Sequence, residues 1–259
     1  MSLLPQTIPV SEQRVELAYL AMLEDVGERT EAIGDRLIAS HWPFVGTDYR
    51  RLLVVGQALA GWDDKSSPAL WAPDTAATPT GRAAILDATK QWSQKRTEPI
   101  DEPLRTRGAS PFWGVSKLVA ELLEPIGVGP WHRRTAWWNL FPLGWGDTNR
   151  SPWFDALWEA QFGHLSALFW EVVDWLDPTR VVILAGQGFW SPTARALGLA
   201  DLDPLPWPLI AGGVRDGRVL VWTRHPGGHY RGLTRPAFAQ AIASAVDHLR
   251  RTHNAAVRP

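Results

Sequence analysis

The sequence of 259 residues contains no cysteine. That excludes disulfides, a thiolate nucleophile and any cysteine-ligated zinc or iron–sulfur centre. Methionine and tyrosine are scarce, at 2 and 3 residues. Long uncharged apolar runs are missing, so neither a signal peptide nor a membrane span is expected. Charge of one sign is missing too: 26 Lys and Arg against 27 Asp and Glu leave a net −1. No global field therefore favours nucleic acid, and only a local basic face could attract it. The lack of cysteine fits a reducing compartment, and a cytoplasmic location is expected.

What is abundant is tryptophan, with 16 residues. Most are expected in the core, where indoles supply buried area, with a minority free to stack on bases or sugars. Apolar content of 45% with 20% charged residues is that of a globular chain long enough for a sizeable core.

Four short apolar runs read as buried strands: Arg51–Val55, Arg134–Leu140, Arg180–Ala185 and Val219–Trp222. Helical patterns separate them. Ser11 to about Ile38 reads as two N-terminal helices broken at Gly27 and Gly34, placing helices over 11–39. Gly114–Leu123 is amphipathic, and Ser151–Leu176 reads as one long helix with Ser151 as cap and Pro152 at its first position. Thr234–Arg251 closes the chain, with Thr234 as cap. Asp216–Gly217 signals a hairpin before the fourth strand. Residues 62–108, rich in proline, read as an insertion or active-site lid. The alternation predicts a single α/β domain over 1–259, a three-layer α/β/α fold with a central, mainly parallel four-stranded sheet.

Parallel sheets gather chemistry where their strands finish. Those ends carry Gly56-Gln57-Ala58, Asn139, Gly186-Gln187-Gly188 and His225. An Asn amide offers a donor and an acceptor side by side, and an imidazole N–H can stabilise a developing anion. Phe112, in Ser110-Pro111-Phe112-Trp113-Gly114, adds a flat apolar face. Together these residue types suit a planar base. After the fourth strand, Arg218–Arg231 reads RVLVWTRHPGGHYR, with no acid between Arg218 and Arg235. Arg224, Arg231 and Arg235 form a basic lip suited to phosphates, and His229 or Tyr230 is placed to wedge into a base stack. The H-x3-H spacing of His225 and His229 is a metal-binding spacing only on a helix. Pro226 and the two glycines oppose one, so no metal is assigned. The dinucleotide fingerprint is likewise absent at Gly186-Gln187-Gly188.

In order, these motifs resemble the uracil-DNA glycosylase superfamily, most closely its iron–sulfur, thermostable branch. Gly56-Gln57-Ala58-Leu59-Ala60-Gly61 is similar to G-E-x-P-G of that branch and to G-Q-D-P-Y of the best-known one. Pro111-Phe112-Trp113-Gly114, running into Leu118–Leu123, is similar to P-F-x-G-x-x-G-x-L-L. Asn139 matches the Asn that reads the uracil edge, and Pro142 with Asn149-Arg150 matches a Pro-rich, N-R element. His225–Arg231 aligns without gaps on H-P-S-x-x-x-R, a loop that carries the catalytic His into the minor groove. The resemblance implies a monofunctional DNA glycosylase acting on DNA with a damaged or deaminated base, as a monomer and without a cofactor. His225 and Gln57 would be catalytic, and Asp63 or Asp64, just downstream of the first motif and outside it, is the candidate to substitute as the acid. Gly56, Ala58, Phe112 and Asn139 would hold the base, and Arg224, His229, Tyr230, Arg231 and Arg235 the DNA.

The chain also departs from the pattern. The cluster cysteines are missing, Gln57 replaces Glu, Leu59 replaces Pro and Gly227 replaces Ser. An amide orients a water but does not take its proton at neutral pH. Two further readings stay open: a superfamily member that binds nucleic acid or a nucleobase without cleaving it, and a hydrolase acting on a different small substrate.

Overall fold

The computed structural model describes residues 10–58, 70–95, 111–124, 129–146, 155–227 and 232–257. Its centre is a mixed sheet of seven strands rather than four. In chain order these are β2 (Phe44–Val45), β3 (Leu52–Ala58), β5 (Thr135–Phe141), β7 (Arg180–Ile183), β8 (Asp203–Pro204), β9 (Leu209–Arg215) and β10 (Arg218–Thr223). Across the sheet they run β2-β5-β3-β7-β10-β9-β8. The four strands expected from sequence, β5, β3, β7 and β10, pair parallel with one another. Antiparallel strands flank them on both sides. A separate three-stranded antiparallel sheet joins β4 (Leu70–Trp71), β1 (Ile38–Ser40) and β6 (Leu143–Trp145).

Alternation along each central strand divides the core in two. Leu52, Val54, Val182, Val219 and Val221 face helices α4 (Pro111–Leu123) and α8 (Arg235–Val257). Leu53, Val55, Val181, Ile183, Leu220 and Trp222 face the other layer. That layer holds α1 (Val10–Glu28), α3 (Pro79–Lys95), α5 (Ala156–Phe162), α6 (Leu165–Leu176) and α7 (Gln187–Ala196). A one-turn helix, α2 (Thr30–Ile33), follows α1. No helix of the described residues is long and apolar enough to cross a membrane.

Several boundaries differ from the sequence reading. Ile38–Ser40 is a strand, so the N-terminal helices stop short of residue 39. The stretch read as one helix from Ser151 begins at Ala156, where the Asp155 carboxylate accepts from the Trp158 N–H at 3.0 Å. It is then interrupted at Gly163-His164. Ser151 and Pro152 lie outside the described residues. Within the stretch read as a lid, residues 70–95 are part of the body: Trp71, Ala76, Ile85 and Leu86 are buried in the core on the α1 side. The rest of that stretch, 62–69 and 96–108, lies outside the described residues.

The break expected at Gly27 falls two residues later, at Arg29 between α1 and α2, and Gly34 ends α2 as expected. A Cβ at Gly27 would lie 2.4 Å from the carbonyl oxygen of Ala76 and 2.6 Å from its carbon. The glycine is there to let two backbones meet. Alanine has better helix propensity by about 1 kcal/mol, but a backbone contact this short forces the elements apart at about 1–3 kcal/mol. Gly27→Ala is therefore expected to lower the urea midpoint, and an unchanged or raised midpoint would show that the two segments separate freely.

His41 is fully buried, its ring 4.2 Å from that of Trp137 at 31°. Burial pulls its pKa down from 6.5 to about 3. The unfolded chain thus binds a proton that the folded chain refuses, and stability falls as pH drops through the ordinary histidine range. One pH unit is worth about 1.4 kcal/mol, so roughly 2 kcal/mol is lost between pH 6.5 and 5 from this group. Urea midpoints measured across that interval should fall, and the slope should flatten in His41→Phe.

Candidate functional site

The chain leaves β3 for β5 on one side, and returns later as β7 on the other side of β3. This is a topological switch point, and the crevice lies at the carboxyl ends of β3 and β7. Residues singled out from sequence fall there into two groups, one around each of two glycines.

The first is Gly56. Its register partner on β5 is Asn139. A Cβ at Gly56 would stand 2.2 Å from Asn139 Oδ1, and 3.2 and 3.3 Å from Phe112 Cε2 and Cζ. Asn139 is 6% exposed, so its amide is buried at this strand end. Phe112 is half-buried in the first turn of α4, with Trp113 edge-on at 4.9 Å and 77°. Trp113 in turn meets Trp137 edge-on at 4.7 Å. An amide and an aromatic face therefore converge over a position without a side chain.

The second is Gly186, at φ 84°, which caps α7. A Cβ here would lie 3.3 Å from His225 Cβ and 3.9 Å from Gln57 Oε1. Gly186 thus separates Gln57 from His225. Its own N–H donates to Thr223 O at 3.0 Å and its carbonyl accepts from Trp222 Nε1 at 3.2 Å, fixing the two strand ends together. Gly186 brings no side-chain cap to α7, so the positive end of that helix dipole lies beside His225.

His225 accepts a hydrogen bond at Nδ1 from the Gly227 N–H, 3.1 Å away. With Nδ1 an acceptor, the proton of the neutral ring sits on Nε2. Burial holds the pKa of His225 below the ordinary histidine value. The group is a neutral donor at pH 7.

Arg235 lies across α4: its Nη1 is 3.1 Å from the position of a Cβ on Gly114. Arg224 is half-buried, and its N–H donates to Pro208 O at 3.3 Å. Ala58 ends β3 opposite Phe141. Asp63, Asp64, His229, Tyr230 and Arg231 lie outside the described residues, as does Asn149-Arg150. Among the described residues no cluster of His, Asp or Glu could hold a metal ion. A separate hollow of about 260 Å³ lies beside β2, lined by Glu12, Trp42, Phe44, Ser93 and Trp175 among others, and none of the convergent residues borders it.

One residue at this end escaped the sequence reading. Trp207 is 54% exposed, whereas the other described tryptophans are buried or half-buried. Composition announces many indoles; only tertiary structure says which one faces solvent. In comparisons with known proteins, no family model matches the chain and no curated protein matches it.

Proposed function

We propose that the chain is a DNA glycosylase-like enzyme, related to the uracil-DNA glycosylase superfamily, that releases a damaged or deaminated base from DNA. The observation that carries this reading is the approach of Phe112 and Asn139 at Gly56, together with that of Gln57 and His225 at Gly186, at the carboxyl ends of neighbouring strands. Residues far apart in sequence supply a flat face with an edge reader at one glycine, and a water-holding amide with a neutral N–H donor at the other.

In the proposed reaction the target nucleotide is flipped from the strand into the crevice. Phe112 stacks on the base, and the Asn139 amide reads its hydrogen-bonding edge. The C1′–N bond breaks with its electron pair moving onto the base, and His225 Nε2–H donates to the oxygen where that charge collects. Water, oriented by Gln57, adds its hydroxyl to the oxocarbenium carbon, and its proton passes to the departed base. Because bond breaking leads, little base strength is required of Gln57. Asp63 or Asp64 is the candidate acid supporting the water, and Arg224, Arg231 and Arg235 with His229 or Tyr230 are the candidate DNA contacts.

Gln57 itself favours a second reading, since an amide cannot remove a proton: binding of nucleic acid without cleavage. The test is incubation with oligonucleotides carrying uracil or hypoxanthine, followed by alkaline scission at any abasic site. Strand scission supports the enzyme. Binding with every base left intact supports the second reading. Absence of DNA binding at low salt, where phosphate contacts are strongest, leaves a hydrolase of a different small substrate.

A further inference from the structure

Phe112 stands in the first turn of α4, and its neighbours hold both its backbone and its ring. Ser116, buried one turn on, donates its hydroxyl to the Phe112 carbonyl at 2.8 Å. Gly114 has no side chain, and Arg235 of α8 lies against it, with Cδ 3.2 Å from the position a Cβ would take. The backbone of the turn is therefore pinned. The Phe112 ring is met edge-on by Trp113, with centroids 4.9 Å apart at 77°.

Adjacent residues of a helix point about 100° apart, so contact between two such rings is not automatic. It arises because Trp113 is itself held. Its indole meets Trp137 edge-on at 4.7 Å and 88°, and Trp131 at 6.3 Å. Trp137 is 5% exposed and belongs to the core beneath α4 and α8. Side chains alternate along β5, so Trp137 and Asn139 share one face of that strand. One strand thus carries the edge reader and, through Trp137 and Trp113, the support of the stacking face. An edge-on indole restrains the tilt of a phenyl ring as well as its position. Phe112 is only half-buried, and Gly56, which its ring approaches, offers no side chain to hold it. Without the indole, other rotamers are open to it.

We infer that Trp113 is a positioning residue for the proposed reaction: held by Trp137 and edge-on to Phe112, its indole sets the plane on which the flipped base stacks. This rests on the glycosylase reading above, in which Phe112 touches the base and Trp113 acts only through it.

The test is a double-variant cycle on single-turnover release of uracil from an oligonucleotide, at a temperature where every variant is folded. Trp113→Leu keeps apolar bulk and removes the ring. It should slow release by about 2- to 12-fold, the worth of one edge-on aromatic pair. Affinity for the oligonucleotide should be unchanged, because phosphate contacts carry it. Trp113→Phe retains an aromatic edge and should recover most of the rate. In a Phe112→Leu background the Trp113→Leu change should have little further effect, since the ring it positions is gone. An indole that only packs would lower Tm and slow both backgrounds by the same factor. That additive result, or a wild-type rate in Trp113→Leu, overturns the positioning role and leaves the glycosylase reading standing. If wild-type protein releases no base from any oligonucleotide, the reading beneath falls and takes this inference with it.

Discussion

His225→Ala is expected to slow base release by about 10²- to 10³-fold, the cost of removing one donor aimed at a developing oxyanion, with little change in DNA affinity. The reason lies in the tautomer. Gly227 N–H occupies Nδ1 at 3.1 Å, so the proton is on Nε2. His225→Gln retains an N–H donor and should recover part of the rate, which separates donation from bulk. The pH profile is a second readout. Protonation would place a hydrogen on Nδ1, facing the Gly227 N–H, and two donors cannot share that bond. Acid therefore turns the ring out of position. Burial lowers the pKa of His225, so the single-turnover rate should hold through pH 6.5 and fail only below it, and His225→Gln should lose this limb. A limb centred above 6.5 would mean that His225 acts as a cation, contrary to its hydrogen bonding.

Much of this site is legible in the sequence, because strand ends in a parallel sheet converge whatever the details of packing. Each buried run, such as Leu52–Val55 or Val181–Ile183, is apolar on consecutive residues because both faces are covered. Their ends then name Gln57, Asn139 and His225 directly. The edges of the sheet are not legible, for the opposite reason. β2 and β8 have two residues each, too few for any pattern. β9 contains Gly212 and Gly213, which weaken any strand pattern. In the fold they make room: a Cβ on Gly212 would lie 2.7 Å from Leu205 Cδ1 and 2.9 Å from Leu249 Cδ1. Gly27 marks the helix break to within two residues, but sequence does not show that it also admits the Ala76 backbone. Trp207 is invisible among many indoles because exposure depends on what packs against a side chain.

Gly56→Ala is the more demanding test of the crevice, because it adds one methyl and removes no functional group. That methyl would stand 2.2 Å from Asn139 Oδ1 and 3.2 Å from the Phe112 ring. The strand is held by its ladder with β5, in which Gly56 is in register with Asn139 itself, and by β7 as far as Val55. Asn139, buried and on the adjacent strand, has to rotate away, and Phe112 has to shift along α4. Overpacking of this kind costs about 1–3 kcal/mol, lowering Tm by roughly 2–4 °C per kcal/mol for a chain of this size. Loss of the edge reader and displacement of the stacking face should together cost about 10²-fold or more in kcat/KM. The two effects separate in the double variant. Asn139→Ala removes the oxygen that the methyl strikes, so Gly56→Ala/Asn139→Ala should regain stability relative to Gly56→Ala. Activity should stay lost, because the amide is gone. A non-additive recovery of Tm without recovery of rate is the signature of contact at a shared site. Recovery of both would mean that Asn139 only packs there, and that the base is read by some other group.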